Sequence, residues 1–545
     1  MIIDSALIQL ENEQILKRLK EDDTYSFKHS LTQETVYQGL LKSQRRAMHR
    51  AIAEAMEEIY ADRKGKMSDV LAYHWELAEV PDRARRYLLR AAQNALRSYA
   101  NQEALGLLTR ALAQSEGAKP QDLMALHEMR AQVYESLDQY GCSLEDYQAA
   151  LPLARQSQRA VDECRILSRI AWALCLCGKG DRAVTVAEEA EKIALEQQDQ
   201  TAVLRAYLVQ GLAEQARGEL MGANTRMRTA LMASQFSEQV VVEGESWYYL
   251  GIQYDLMGRF ARAAACARKA GEIKKGLSDH GGEILSLFLR ARAEGARGHY
   301  DASLDALEQG HARAKEIRHP FGLAEYPNTR AWLAGELGDW QTAYELDREG
   351  LQVAHHALVH PPEINTLLNL FLDCAMLGYV EESEDYCHKL AQWMGHPEFG
   401  HHLWRWQVRY DDAHARLLMA QSLYDEAAGV INKLIKESEH TLSAKYRARG
   451  LVLRAQIHLY NGERQQAQID LFTARHLADG MNYVPVRIQA RQLLAQSIAQ
   501  TDPNKSREYL AQAARIVQVT KACVTYPELK RSFDRGMGTW VTLTT

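Results

Sequence analysis

The chain has 545 residues, 46% of them apolar and 25% charged, with 65 Lys and Arg against 71 Asp and Glu for a formal charge of −6. That balance supplies no general basic field, which argues against nucleic acid and anionic lipid as non-specific partners, and no apolar run reaches the roughly 18–20 residues of a bilayer span. Asp4 and Glu11 stand in MIIDSALIQLENEQ where a secretory leader needs cations and then an apolar core, so a cytoplasmic protein with no membrane partner is expected. Eight scattered cysteines without a CxxC pair are expected to be free and mostly buried.

In chain order, SALIQLENEQILKRLK predicts a helix, TYSF a short strand, and the residues that follow two helices split near Leu41. The second of these opens with KSQRRAMHR, which groups Lys42, Arg45, Arg46, His49 and Arg50 on one short stretch that either touches DNA or serves as an internal linker. A phosphate-binding loop is missing. In RKGKMSD, Gly65 and Lys66 are followed by Met67 in place of the hydroxyl residue, and no glycine lies five residues earlier.

FKHSLTQETVYQGLL, RRAMHRAIAEAMEEIY and the later LAYHWELAEVPDRARRYLLRAAQNALRSYANQEALGLLTRAL resemble the junction between ATPase module and repeats in the signal-transduction NTPases called STAND proteins, including bacterial cyclase-linked and LuxR-type ATPases. The resemblance covers about residues 1–115 and implies that residues 1–66 are the end of a winged-helix unit with linker helices. It also implies that His29 matches the family histidine that contacts the phosphates of bound ADP, although Lys28 and Ser30 stand where the family has Met and Asp. With no NTPase domain present, an upstream STAND ATPase becomes the implied partner. The chain is then either a natural stand-alone protein or a piece split from such an ATPase.

From residue 67 onward a repeat takes over. WYYLGIQYDLMGRFARAAACARKA carries Trp247, Leu250, Gly251 and Tyr254 in the W-x2-L-G-x2-Y spacing of a tetratricopeptide repeat, with Ala263, Ala267 and Ala270 on its small-residue positions. Gly178, Gly218, Gly258, Gly298, Gly338 and Gly378 then recur every forty residues, and Ala183, Ala223, Ala263, Ser303, Ala343 and Ser383 follow each at five. Glycine at such a position ends a helix in left-handed backbone, and a small residue lets two helices cross closely. Gly462 and Ala467 repeat the pattern, and looser copies extend it. The expected fold is therefore all-α: a right-handed superhelical tetratricopeptide-like α-solenoid of about eleven helical hairpins over residues 67–518, followed by a tail at 519–545. Forty exceeds the usual repeat of about 34, so the helices are expected to be longer. The register slips to 44 between Gly378 and Ser422, where WMGHPEFGHHLWRW predicts a loop.

Catalytic chemistry finds no support: there is no G-x-S-x-G elbow, no H-E-x-x-H, and no Cys or Ser with a base partner at a motif spacing. His355, His356 and His360 have helical spacing for two imidazoles, but no thiolate or carboxylate completes a zinc set at a recognisable interval, so neither metal nor cofactor is expected. After Gln518 the 27 remaining residues are too few and too weakly basic for a helix-turn-helix domain.

What remains is a groove. By the family's register the second, fifth, ninth and twelfth positions of each first helix face the inner wall, which selects Trp172, Arg205, Tyr248, Asp255, Phe288, Arg292, Asn328, Trp332, Arg409 and Arg416. Aromatic faces and arginines suit capture of an extended peptide or partner helix, because the rings supply apolar area and the guanidinium groups fix chain direction. The sequence therefore predicts a non-enzymatic protein- or peptide-binding scaffold or sensor arm of a STAND-type system. A small-molecule inducer sensor, a stand-alone adaptor and, weakest, a nucleotide-binding regulatory fragment are the competing expectations.

Overall fold

The structure, a computed structural model, describes residues 2–19, 24–60, 67–98, 100–137, 139–357, 360–394 and 403–537. Two compact units divide inside one helix, at Arg130 and Ala131.

The first unit opens with α1 (Ile2–Asn12), β1 (Leu16–Arg18) and β2 (Tyr25–Phe27), the strands pairing antiparallel with Leu16 opposite Phe27. The expected helix over 5–20 thus stops at Asn12. Gln14 takes a positive φ of 58°, and the chain turns there into the hairpin. Helices α2 (Ser30–Gly39) and α3 (Lys42–Ile59) follow, split where expected, then α4 (Ser68–Leu77), α5 (Pro81–Arg97), α6 (Asn101–Ala113) and the start of α7 (Pro120–Ser136).

The cations of KSQRRAMHR have partners: Lys42 lies 3.1 Å from Glu79, Arg46 pairs with the same carboxylate, and Arg50 meets Glu54 at 2.9 Å. His49 is buried, and its Nδ1 lies 2.9 Å from the Nδ1 of His74 on α4, while its Nε2 lies 2.9 Å from the Tyr37 hydroxyl. Burial pushes both imidazoles below the usual histidine range, and for His74 the neighbouring His49 adds to the effect. Because the folded values are depressed, the unfolded chain takes up protons first. The contribution of the pair is complete at neutral pH and declines as pH falls below about 6.5. Amide exchange in α3 and α4 is therefore expected to quicken on acidification, and His74→Gln to flatten that dependence; an identical pH profile in the variant would remove the pair as its cause.

The second unit carries α8 (Tyr140–Gln156) and then nine helical hairpins: α9 (Ala160–Leu176) with α10 (Gly180–Glu196), α11 (Gln200–Ala216) with α12 (Leu220–Phe236), α13 (Val240–Leu256) with α14 (Phe260–Gly276), and α15 (His280–Ala296) with α16 (Tyr300–Ile317). The series continues with α17 (Pro320–Glu336) and α18 (Trp340–Ala357), α19 (His360–Leu377) and α20 (Val380–Met394), α21 (Leu403–Ala420) and α22 (Tyr424–His440), α23 (Ala444–Tyr460) and α24 (Arg464–Met481), and α25 (Val484–Ile498) and α26 (Pro503–Cys523). From α5 to α26 there are 22 helices, the number that eleven hairpins require.

Seventeen-residue helices joined by three-residue turns explain the period of forty in α9 to α15. Every turn glycine in the register, with Gly462, has φ between 69° and 82°, the left-handed region in which a Cβ costs roughly 1–2 kcal/mol. The small residues five positions later are buried to 1% exposure or less. This is a tetratricopeptide-like α-solenoid. Residues 395–402, the centre of the expected loop, lie outside the described residues, as does 538–545 in the expected tail.

The glycines have a second role that the repeat pattern did not show. A Cβ on Gly218 would stand 2.8 Å from Thr441 Cγ2, one on Gly258 3.2 Å from Ala444 Cβ, and one on Gly298 2.7 Å from Val484 Cγ2. The turns of the middle repeats thus touch the starts of α23 and α25. The chain end completes this return. Instead of a tail after Gln518, α26 runs on to Cys523, and α27 (Pro527–Arg535) buries Leu529 and Phe533 in the same apolar cluster as Tyr300, Leu304, Leu333 and Leu337. Thr525 N donates to Asp301 at 2.8 Å, Ser532 Oγ to Asp339 at 2.6 Å, and Met537 N to the Leu337 carbonyl at 2.9 Å.

Candidate functional site

Successive first helices are tied to one another by side chains about one repeat apart. Gln215 Nε2 donates to Gln253 Oε1 at 2.7 Å, Arg292 meets Asp255 at 3.1 Å, and Asn328 Nδ2 donates to Thr366 Oγ1 at 3.2 Å. Arg409 Nη1 donates to Asn365 Oδ1 at 2.6 Å, and its Nη2 to Asn369 Oδ1 at 2.7 Å and to the Asn365 carbonyl at 3.2 Å. Helical periodicity and a constant step bring polar side chains of neighbouring first helices together at nearly the same place in each repeat, 37 or 38 residues apart within the forty-residue register and 44 across the slip.

Later helices then reach back across this wall. Trp404 Nε1 of α21 donates to the Gln215 carbonyl of α11 at 3.0 Å, although 189 residues separate them. Lys445 Nζ of α23 lies 2.6 Å from Glu336 Oε1 of α17, and its ammonium sits over the rings of Trp332 at 5.2 Å and Tyr483 at 4.9 Å. The inner faces therefore share an enclosed space. Burial pushes Arg405 down to about 10, with Arg292 adding to the effect, and pushes the Tyr248 hydroxyl up to about 12 against the opposing pull of Arg292. Arg292 nevertheless keeps 46% of its side chain open, so the space is wet.

Within it a cavity of about 60 Å³, enough for several waters, is lined by Trp332, Leu372, Met376, Arg409, Tyr446 and Tyr483 among others. Asp412, 1% exposed, accepts from Arg449 and faces Arg416 at 3.5 Å. Burial alone would raise this carboxyl, but the two guanidinium groups hold it below the usual carboxylate range. Asp347 and Asp373 are different: both are buried, they face each other, and their carboxyls are pushed well up by burial, Asp347 further by its neighbour.

The residues selected from sequence separate into groups. Tyr248, Asp255 and Arg292 come together on α13 and α15, and Trp332, Arg409 and Arg416 line the cavity. Trp172 is half-buried with its ring 5.7 Å from Tyr249, which itself stands 5.3 Å from Tyr248. Arg205 is exposed and has no polar partner among the described residues. Asn328 is 5% exposed, held by Thr366, and belongs to the wall. Phe288 is a correction: at 3% exposure it packs in the apolar cluster with Ile284, Tyr300 and Leu307, on the side of α15 that meets its hairpin partner α16. His29 is exposed at the N-cap position of α2 and makes no capping hydrogen bond. His355 and His360 both approach Glu363, at 3.3 and 3.5 Å, and no group of three or more metal-ligating side chains occurs among the described residues.

Sequence reasoning missed Glu336, Lys445, Arg449 and the Asn365–Asn369 pair. A signal existed. Thirteen residues before the turn residues 338, 378, 422 and 462 stand Glu325, Asn365, Arg409 and Arg449, a column found by counting back from each turn across the slip.

No protein-family model matches the sequence, and no curated protein matches it. Among solved structures, a Rap protein complexed with competence and sporulation factor is 12% identical, covering 64% of this chain and 98% of that one, with a TM-score of 0.47. The Rap conjugation gene regulator of plasmid pLS20 in complex with the Phr* peptide is 16% identical over 52% of this chain and 76% of its own, with a TM-score of 0.41. A STAND protein with a tetratricopeptide repeat sensor from Pyrococcus horikoshii is 13% identical, covering 71% of this chain and 58% of that one, with a TM-score of 0.39.

Proposed function

We propose that the chain is a non-enzymatic scaffold or sensor arm that binds a protein or peptide on the inner wall of its second unit, as part of a STAND-type signalling system. The observation that carries this reading is the set of aromatic and guanidinium side chains on the first helices α9, α13, α15, α17 and α21, from Trp172, Tyr249 and Tyr248 through Arg292 to Trp332 and Arg409. Rings give apolar contact area with little entropy to lose, and charged forks beside them fix the direction of a bound chain by hydrogen bonds. None of these groups is arranged as a nucleophile with a base.

The STAND partnership draws support from unit one. Leu41, Met48, Ile52 and Ile59, spaced i, i+7, i+11 and i+18 along one face of α3, are 67, 51, 40 and 73% exposed, and an uncovered apolar stripe of this kind marks a protein contact. An ATPase module is the partner this reading assigns to that face.

The test is capture from native cytosol with wild type and with Tyr248→Ala/Arg292→Gln, the variant being compared only at a temperature where circular dichroism shows wild-type helicity. A protein retained by wild type and lost by the variant is the expected result. The same retained set with both would end the assignment of the inner wall.

A further inference from the structure

The cations and carboxylates around the cavity do not balance. Glu336 is matched by Lys445 at 2.6 Å, whereas the single carboxylate of Asp412 is shared between Arg416 and Arg449. Arg409 has no acidic partner: the three groups that accept its hydrogen bonds are the side-chain oxygens of Asn365 and Asn369 and a backbone carbonyl, all neutral. Asn365 Oδ1 is itself fixed by Trp406 Nε1 at 3.2 Å, and Asn369 Nδ2 donates to Asp347 Oδ1 at 3.3 Å, so the guanidinium is aimed by a rigid amide frame. Glu325 and Asp347 act on it from a distance without a hydrogen bond, burial pushes both carboxyls up, and Asp373, which also lines the cavity, faces Asp347.

A guanidinium whose acceptors are all neutral keeps an uncompensated positive charge, and the Nη1–H and Nε–H that those acceptors leave open can donate to a carboxylate. Beside it, Trp332, Leu372 and Met376 present an apolar face suited to methylene groups.

We propose that this cavity seats the carboxylate of an acidic side chain from a bound peptide on Arg409, with the stem of that side chain against Trp332 and Met376. The proposal rests on the reading of the inner wall as a peptide site and adds the sign of the partner's charge. The partner is an acidic segment, and a cationic one is rejected by Arg409 and by the half-compensated Arg416 and Arg449.

The experiment titrates the full chain by calorimetry with three probes: an end-capped peptide of alternating Ala and Glu, its Lys counterpart, and sodium glutarate as a free dicarboxylate. The Glu peptide is expected to bind, more weakly as salt rises, and the Lys peptide not to bind. Arg409→Gln should weaken the Glu peptide at least tenfold, Arg409→Lys should restore part of the loss, and Arg182→Gln on the outward α10 should leave affinity unchanged. Restoration by lysine separates a charge effect from a packing defect.

Equal or tighter binding of the Lys peptide, or wild-type affinity in Arg409→Gln, would overturn the proposal. Binding of glutarate without either peptide would overturn the peptide as the source of the carboxylate. Should neither peptide bind while cytosolic capture still depends on Tyr248 and Arg292, the acidic preference fails and the inner-wall reading stands; loss of both results fails both.

Discussion

Glu336→Ala is expected to destabilise the second unit by about 3–5 kcal/mol, the usual consequence of leaving one member of a buried ion pair without its counter-charge. Lys445 and Glu336 are 9% and 5% exposed, so the few waters the adjoining cavity can hold replace only part of what the missing carboxylate supplied. Burial on its own would pull the ammonium down. Glu336, with Tyr483 and Tyr446 behind it, more than offsets that and holds the amine above its ordinary range. Without Glu336 the ammonium keeps only the ring faces of Trp332 and Tyr483, a contact of roughly 2 kcal/mol at best in a desolvated site. The loss should concentrate where the pair joins distant repeats, so amide exchange in α17, α23 and the start of α25 should accelerate more than in α9 and α10. A Glu336→Met/Lys445→Met double variant should recover most of the stability, because well-packed apolar side chains commonly replace a buried pair at little cost. A Glu336→Ala protein with wild-type exchange rates in α17 and α23 would show that the pair joins nothing.

Gly536→Ala is the second large effect. A Cβ at this position would be driven into the Leu337 carbonyl oxygen and would stand 2.5 Å from Gly338 C and 2.7 Å from Asp339 N. All three are backbone atoms of the α17–α18 turn, and none can rotate aside as a side chain does. The expected cost therefore exceeds the roughly 1–3 kcal/mol of an ordinary overpacked site, and the chain can lower it only by releasing α27. Release exposes Leu529, Phe533 and Met537 and breaks the Ser532–Asp339 hydrogen bond. Limited proteolysis should then cut near Val524 faster than in wild type, and α16 and α17, which α27 covers, should lose protection while α9 to α12 keep theirs. Proteolysis at the wild-type rate would mean that α27 is held independently of this close approach.

The sequence made the hairpins legible because each requirement is local. A left-handed cap needs glycine at 178, 218 and 258, a close crossing needs alanine at 183, 223 and 263, and both recur at one interval. The inner wall was legible in part. Trp332, Arg409 and Arg416 line the cavity, but Phe288, one forty-residue step after Tyr248 and before Asn328, packs with Ile284, Tyr300 and Leu307, since an apolar side chain at a position between wall and hairpin partner gains more by leaning into the core. Lys445 and Glu336 had no signal of this kind, because 109 residues lie between them and nothing in either neighbourhood requires the other. The same holds for α27, whose partners Asp301 and Asp339 lie some two hundred residues upstream, at 224 and 193 positions from Thr525 and Ser532. Gly258 and Gly298 carried half of their meaning on the surface: a cap glycine and a glycine pressed against Ala444 or Val484 look alike in a repeat.

The contact of α27 with the α17–α18 turn has a consequence for biosynthesis. A repeat protein stabilised only by nearest neighbours can consolidate hairpin by hairpin as it leaves the ribosome. Here Leu337 and Asp339 emerge about two hundred residues before Met537 and Ser532, so the middle of the nascent chain must wait, with Tyr300 and Leu304 still uncovered on one side, until α27 has itself emerged. That interval makes slow, non-local maturation and a demand for chaperones properties of the newborn polypeptide, and it makes premature termination anywhere before Pro527 harmful far upstream of the stop.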